Sequence, residues 1–187
     1  MANNPNITYR KVNHVHSTKE LLARAKEEVG DKIAYRYFVG ADVESATYAE
    51  FYDRVMALGA ALAELGHLSS HIAMIGANSY DYITLYLTAL AGDGVFVPVD
   101  KELPPEEYLH VIADSDATIV FCDDKYEETL RENGDKIPKV THIVNLSREE
   151  DDGKCLSFAK LLVHGYELEK EHPGALLSHV RNPEDLA

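Results

Sequence analysis

The fold is decided between Thr47 and Cys122. The first part, Thr47–Gly66, reads TYAEFYDRVMALGAALAELG, and the second, His71–Cys122, reads HIAMIGANSYDYITLYLTALAGDGVFVPVDKELPPEEYLHVIADSDATIVFC. Short apolar runs rich in β-branched residues alternate here with longer segments whose apolar residues recur every three or four positions. This alternation predicts a mostly parallel sheet with helices on both faces. Because crossovers between parallel strands are right-handed, we expect a doubly wound α/β fold.

The helix that opens this stretch carries its own boundary signals. Thr47 and Glu50 form a capping box, in which both side chains satisfy backbone N–H groups of the first turn. Gly66 ends the pattern, as glycine often does just beyond a helix. The apolar positions between them are Phe51, Val55, Leu58, Leu62 and Leu65. Their spacing predicts an amphipathic helix that packs on the sheet.

Similar signals divide the rest of the chain. Ser17 with Glu20 predicts an earlier helix, and the alternating run Ile33–Val39 predicts a hairpin that turns at Gly40 and returns to Thr47. We predict further strands at 71–76, 95–99, 117–122 and 141–146, and further helices from Ser79, Pro104, Asp124 and Ser157, the last ending at His164.

The buried face of the helix from Ser79 is expected to include Ile83, Leu87 and Leu90. The polar segment after Glu167 is expected to be loop. We therefore expect residues 1–187 to form one partial domain with a core at about 17–165 and a linker at 166–187.

Composition excludes some classes of function. The chain has 32 acidic and 18 basic residues and a net charge of −14, which disfavours nucleic-acid binding. No run of about 18 apolar residues predicts a membrane span, and the start has no apolar stretch of signal-peptide length. The two cysteines, Cys122 and Cys155, fit no zinc or redox pattern, so we expect a reducing cytoplasm. Cys122 ends an apolar run and is expected to be a buried thiol.

The usual catalytic motifs do not occur. There is no GxxxxGK[ST] loop, no GxSxG elbow and no GxGxxG that opens a helix after a strand. His14 and His16 lie close together, whereas His164, His172 and His179 are spaced too irregularly for one metal site. From these residues we predict no catalytic, cofactor-binding or metal site.

Acidic pairs and tyrosines have simpler explanations than catalysis. Glu106–Glu107 and Asp123–Asp124 lie where helices begin, so we interpret them as capping and dipole-compensating residues. Tyr82 and Tyr86 share a helix face and are interpreted as a half-buried packing stripe.

Asn78 and Asp100 are the two candidates for substrate binding. Each follows an apolar strand at its carboxyl end, the edge at which open α/β sheets usually bind ligands. Both also have a structural alternative, because Asn78 can make the turn before Ser79 and Asp100 can cap the turn before Leu103–Pro104.

The order and spacing of several pieces resemble one enzyme family over roughly residues 33–121. The pieces are Thr47–Glu50 with the helix ending at Gly66, Asn78–Ser79 with Asp81–Tyr82, and Val97–Asp100 with Leu103–Pro104. Together they are similar to the N-terminal part of the AMP-forming acyl-CoA synthetases, within the adenylate-forming superfamily. The segment Asp100–Pro104 looks more like a ligase of fatty or related carboxylic acids than a peptide-synthetase domain.

The resemblance implies a two-step reaction in a full-length parent. ATP, with Mg²⁺, and a carboxylic acid form an acyl-adenylate, and coenzyme A then displaces AMP. The family's Ser/Thr/Gly-rich phosphate loop is not in this sequence, although Asn182–Ala187 resembles the residues that lead to it. Gly92–Gly94 departs from the apolar pattern of relatives. We therefore expect a fragment that is catalytically silent alone, binds no cofactor, has the remainder of the ligase chain as its partner, and self-associates.

Two other classes of protein remain open from the sequence. The first is a standalone binding or interaction module with a Rossmann-like sheet. The second is a flavodoxin-like signalling or redox domain, for which Asp100 and Asp123 are the available residues at strand ends.

Overall fold

The computed structural model describes residues 14–178. The helices are α1 Thr18–Val29, α2 Tyr48–Glu64, α3 Tyr80–Ala91, α4 Pro105–Asp114, α5 Asp124–Glu132, α6 Phe158–Glu171 and α7 Ala175–Ser178. The strands are β1 Ile33–Val39, β2 Asp42–Thr47, β3 His71–Ile75, β4 Val95–Val99, β5 Ile119–Cys122, β6 His142–Asn145 and β7 Cys155–Ser157. The segment 179–187, which includes His179 and the run Asn182–Ala187, lies outside the described residues.

The sheet is parallel and covered on both faces, which confirms the predicted fold class. Its five strands lie in the order β4-β3-β5-β6-β7, while β1 and β2 form a separate antiparallel hairpin. Alternate residues of β3 point to opposite sides, so that Ile72 and Met74 join the core under α2, α3 and α6, and Ala73 and Ile75 join the core under α4 and α5. The parallel sheet is therefore apolar on both faces, as buried parallel sheets require.

Helix α2 is the central helix of one face, and its caps form as predicted. The Thr47 side chain accepts a hydrogen bond from the N–H of Glu50, whose carboxylate accepts from the N–H of Thr47 at 2.7 Å. The helix is buried almost continuously from Val55 to Leu62. It packs most closely on α6, where a Cβ added to Gly165 would lie 2.0 Å from the Ala57 carbonyl oxygen.

The predicted buried face of α3 is wrong by about one residue position. Ile83, Leu87 and Leu90 are only partly buried, whereas Thr84 and Thr88 are fully buried. Their hydroxyl groups donate to the carbonyls of Tyr80 and Thr84 at 2.7 and 2.8 Å, so neither brings an unsatisfied polar group into the core. The inner face of α3 is therefore formed by Leu85 and Ala89 together with the two internally hydrogen-bonded threonines.

The loop predicted after Glu167 is also wrong for the part of it that the structure describes. Helix α6 continues to Glu171, and α7 follows it. Leu176 of α7 is 1% exposed and contacts the open side of Gly59 in α2, where an added Cβ would lie 2.9 Å from a Leu176 methyl carbon. Because the segment is mostly polar, its sequence gave no indication that Leu176 is buried. The contact of Leu176 with Gly59 holds the segment against the core.

The amino-terminal edge of the sheet contains a histidine pair that the sequence did not reveal, in which His67 is buried and His142 is partly buried. His67 Nε2 lies 3.0 Å from His142 Nδ1, and its Nδ1 lies 2.9 Å from the Thr118 hydroxyl. The Thr141 hydroxyl is within 3.1 Å of both facing ring nitrogens. Burial, and then the proximity of His142, lower the pKa of His67 below its usual value. The fold therefore favours the neutral imidazole at this position.

Substitution of Gly165 by alanine is expected to destabilise the protein by about 1–3 kcal/mol, because the added methyl group overlaps the Ala57 carbonyl and the two helices must separate. Chemical denaturation measures the change. Gly134→Ala is the matched control, since an added Cβ there meets nothing closer than 3.7 Å. Equal stabilities of the two variants would contradict the close α2–α6 contact.

The histidine pair predicts a pH dependence of stability. Because the pKa of His67 is lower in the folded than in the unfolded chain, its contribution is complete above the unfolded value, near pH 6.5, and decreases as pH falls below that value. His67→Gln is expected to flatten the increase in unfolding free energy between about pH 5 and 7. The exposed His110→Gln serves as control. Parallel pH profiles for wild type and His67→Gln would disprove the assignment.

Candidate functional site

The candidate site lies where the chain reverses its direction of winding. From β3 the chain passes through α3 to the outer strand β4, and it then crosses back to β5 on the other side of β3. The connections that leave β3 and β5 therefore lead to helices on opposite faces of the sheet. Open α/β sheets bind ligands in the crevice that such a reversal creates at the carboxyl ends of the strands.

A cleft of about 560 Å³ occupies this edge and is called here the carboxyl-edge cleft. It is lined by Gly76, Ala77, Asn78, Tyr82, Pro98, Val99, Asp100 and Lys101. The structure thus brings both sequence-predicted residues, Asn78 and Asp100, into one cavity, one from the loop after β3 and one from the loop after β4. Its volume lies within the range of small-molecule pockets.

The two candidate side chains differ in whether their polar atoms are already hydrogen-bonded. Asp100 Oδ1 accepts a hydrogen bond from the N–H of Glu102 at 2.9 Å, which confirms the turn role that its sequence position allowed. Asn78 is exposed, and within residues 14–178 no hydrogen bond engages its side-chain amide. Ser79 instead accepts from the N–H of Tyr82 and caps α3. Of the two, Asn78 has the free donor and acceptor atoms.

Asp123 does not have the capping role that the sequence suggested. No backbone N–H of α5 bonds its side chain among the described residues. Its Oδ2 accepts instead from the N–H of Ala77 at 2.8 Å, across the point where the winding reverses. The neighbouring Asp124 accepts from the Asn145 side chain at 3.0 Å. The acidic pair therefore holds strand ends together.

Tyr126 was missed entirely by the sequence reasoning. It is buried, and its hydroxyl donates to the Lys101 carbonyl in the other loop of the cleft at 2.7 Å. The signal that could have revealed it is the spacing of Asp123 and Tyr126, three residues apart at the start of a helix that directly follows a strand. Residues so spaced share one side of a helix.

A second cleft, of about 720 Å³, lies between the hairpin and the first turn of α3. Tyr37 and Tyr80 stack in its wall with ring centroids 4.4 Å apart, and Arg54 lies over Tyr80 and pairs with Asp81. Burial raises the pKa of Tyr80 to about 12, although the Arg54 charge opposes this. Arg54 Nε is buried without a partner within residues 14–178. Asn78 belongs to both clefts.

A satisfied polar network fixes the far end of the same sheet edge. The Glu127 carboxylate accepts from Asn145 Nδ2 at 2.6 Å, from Arg148 at 2.6 Å and from Arg131 at 3.1 Å. Burial raises the pKa of Glu127, but these hydrogen bonds outweigh it and lower the pKa to about 2. Every charge here has a partner, so the network anchors α5 to β6 and offers no free group for catalysis.

The remaining sequence candidates have packing roles where the structure describes them, and Tyr82 also lines the carboxyl-edge cleft. Tyr82 and Tyr86 pack edge-on against Phe96, with ring centroids 5.5 and 5.1 Å apart, which confirms the packing stripe. Cys122 is a buried free thiol as predicted, and burial raises its pKa. Cys155 is likewise buried, which raises its pKa to about 11.

Neither a metal cluster nor a membrane helix is found in the described part of the chain. His14 and His16 are exposed, and His164 pairs with Glu64. Across residues 14–178 no three His, Cys, Asp or Glu side chains are grouped to hold a metal ion. No helix in that range combines the length and the apolar character needed to cross a bilayer.

Known proteins of similar sequence are much longer than this chain. The 4-hydroxybutyrate–CoA ligase 2 of Metallosphaera sedula is 32% identical over 117 residues, which are 62% of this chain and 21% of the ligase. The hybrid PKS-NRPs synthetase opdA of Penicillium oxalicum is 29% identical over 92 residues, which are 49% of this chain and 2% of the synthetase. The chain therefore spans about a fifth or less of the length of these curated relatives.

Solved structures share the fold at low sequence identity. The anthranilate CoA ligase AuaEII, solved with anthranoyl-AMP, superimposes with a TM-score of 0.69 at 19% identity, over 79% of this chain and 28% of that one. The A-PCP didomain of carboxylic acid reductase from Segniliparus rugosus, solved with AMP, gives 0.68 at 13% identity, over 80% of this chain and 26% of the didomain.

The strand order alone does not separate the rival families, because flavodoxin-like sheets have the same order. A family-wide sequence match does separate them. The model of the family described as "AMP-binding enzyme" matches residues 22–185, which is most of the chain. The chain is a member of the AMP-binding enzyme family, and it corresponds to the N-terminal region of the adenylate-forming ligases.

Proposed function

We propose that this chain is the N-terminal portion of an ATP-dependent, AMP-forming acid–thiol ligase. It provides the scaffold and one wall of the substrate cleft. The observation that supports this most directly is the family match over residues 22–185, together with a cleft at the winding reversal that contains Asn78 and Asp100. The substrate class we propose is a fatty or related carboxylic acid, and the relative from Metallosphaera sedula is named for such an acid.

The carboxyl-edge cleft does not by itself fit a phosphate chain. The N–H of Ala77, at the loop where a phosphate could approach, already donates to the Asp123 carboxylate. The charged residues of its lining are Asp100 and Lys101, whose charges offset each other. The ATP, Mg²⁺ and coenzyme A that the family reaction uses therefore require groups beyond this cleft. For this reason we propose that the fragment is catalytically silent and, in a cytoplasmic parent, works only with the remainder of the ligase chain.

The first test of the ligase assignment is the DNA sequence downstream of the codon for Ala187. A reading frame that continues beyond Ala187 into a Ser/Thr/Gly-rich segment with a lysine supports it, and the full product is then assayed for acid-dependent release of pyrophosphate from ATP. A stop codon directly after Ala187 favours the alternative of a standalone binding module.

Catalytic silence is tested on the 187-residue chain itself. Incubation with ATP, Mg²⁺, coenzyme A and 4-hydroxybutyrate, octanoate or anthranilate is expected to release no more pyrophosphate than a protein-free blank, because the Ala77 N–H is already engaged and the lining of the cleft carries no excess positive charge. A complete acyl-CoA ligase run beside it shows that the assay responds. Acid-dependent release by the chain alone contradicts the proposal.

We also propose that the isolated chain self-associates through the outer face of its hairpin. Phe38 and Val43 are directly paired across β1 and β2, and their side chains are 79% and 61% exposed. A two-stranded hairpin with an uncovered apolar face is a common site of association. In a longer ligase the same face is available to the rest of the chain.

Light scattering is expected to show dimers or larger species whose proportion rises with concentration, because association covers Phe38 and Val43. Phe38→Ser is expected to shift the protein towards monomer. Val163→Ser on α6, which is 59% exposed and outside the hairpin, is the matched control and is expected to behave as wild type. A clean wild-type monomer at high concentration counts against this proposal.

A further inference from the structure

The first turn of α5 holds both loops of the carboxyl-edge cleft. Asp123, directly before the helix, accepts from the N–H of Ala77 in the loop after β3. Tyr126, three residues later, donates to the Lys101 carbonyl in the loop after β4. Asn78 follows the first contact by one residue, and Asp100 precedes the second by one. One rigid helical turn is thus in contact with the backbone beside each candidate residue.

The Asp123 carboxylate makes this contact instead of a more usual one. An aspartate at the N-cap normally accepts from an N–H of its own helix and so stabilises the first turn. Here both oxygens face the end of β3, where Oδ2 bonds the Ala77 N–H and Oδ1 packs beside Gly76. Because the same carboxylate accepts from a backbone N–H in either arrangement, the contact across the reversal can replace the lost cap.

Gly76 leaves the space that the Asp123 carboxylate occupies. A Cβ at position 76 would lie 2.6 Å from Asp123 Oδ1 and 2.9 Å from the Met74 terminal methyl carbon. The close approach of the β3 backbone to the carboxylate therefore needs glycine. The N–H of Asp123 also donates to the Ile75 carbonyl at 3.1 Å. Strands β3 and β5 are consequently joined by backbone and side chain at their carboxyl ends.

Tyr126 is held as firmly as Asp123. Its ring is buried and meets the ring of Tyr108 edge-on, with centroids 5.8 Å apart. A ring fixed in this way directs its hydroxyl group at one point, which is the Lys101 carbonyl. The Asx turn from Asp100 to Glu102 fixes the same loop from its other side.

We propose that Asp123 is a positioning residue for the cleft, and that together with Tyr126 it sets the separation and orientation of Asn78 and Asp100. The use of that cleft by a substrate rests on the proposed ligase function, whereas the positioning itself does not. Asp123 touches no reacting group in this assignment, because it acts through the backbone of Ala77.

The test is NMR on the 187-residue chain, which measures the solvent-exchange rate of the Ala77 amide and the residual dipolar couplings of residues 76–79 and 100–103. Asp123→Ala is expected to speed Ala77 exchange about tenfold, the effect of losing a hydrogen bond worth roughly 1.4 kcal/mol, and to change the couplings of 76–79. Asp123→Asn retains an acceptor oxygen and is expected to restore both. Tyr126→Phe is expected to change the couplings of 100–103 alone.

Glu128→Ala, an exposed position on the same helix, is the matched control and is expected to match wild type. Two outcomes overturn the proposal. One is unchanged Ala77 exchange in Asp123→Ala. The other is an equal increase at Met74 in β3, which shows general destabilisation in place of local positioning. Neither readout uses ATP or an acid, so failure of the ligase assay leaves this result independent, and failure here leaves the ligase assignment standing.

Discussion

The structure depends on the burial of α2, which is continuous from Val55 to Leu62. This helix contacts α1, α3, α6 and α7 as well as the hairpin, so most of one face of the protein is assembled on it. Such close surroundings require small residues at the crossings. Gly165 lets the α6 backbone approach the Ala57 carbonyl, and Gly59 makes room for Leu176. Interiors packed to crystal-like density tolerate little change in volume at such points, which makes the glycines as important as the leucines.

The carboxyl-edge cleft is a consequence of sheet topology and is refined by a few polar contacts. Strand order alone produces the crevice, since neighbouring connections leave towards opposite faces. Its dimensions then depend on how the loops after β3 and β4 are held. The chain is a member of the AMP-binding enzyme family, and its match to the 4-hydroxybutyrate–CoA ligase 2 of Metallosphaera sedula covers 21% of that ligase.

Local sequence patterns were sufficient to predict the helices and strands. They did not predict the contacts between residues that are distant in sequence. The capping box of Thr47 and Glu50 and the β-branched run at Val95–Val99 depend on neighbouring residues, so both were predicted correctly. The inner face of α3 was misplaced because hydrogen bonds within the helix allow threonine to be buried there. The three-residue strand β7 is too short for periodicity to reveal, and α7 depends on a single leucine.

The same limit applies to the site. The positions of Asn78 and Asp100 follow from the rule about strand ends, which needs only the order of the elements. The partners of Asp123, Tyr126 and His67 lie far away in sequence, so the local pattern suggested a cap for Asp123 and no role for the other two. Long-range pairing of polar groups is a property of the folded chain, and no local sequence window contains it.

The bond between Asp123 and the Ala77 N–H has a further consequence for the order of folding. Its partners are 46 residues apart, and α3, β4, α4 and β5 all lie between the two ends of that loop. Closing so long a loop is entropically unfavourable until the intervening elements have docked. The cleft therefore takes its final shape only after the outer strand has been placed and the chain has crossed back. A partly folded chain can contain most of the helices and strands and still lack the geometry of the cleft.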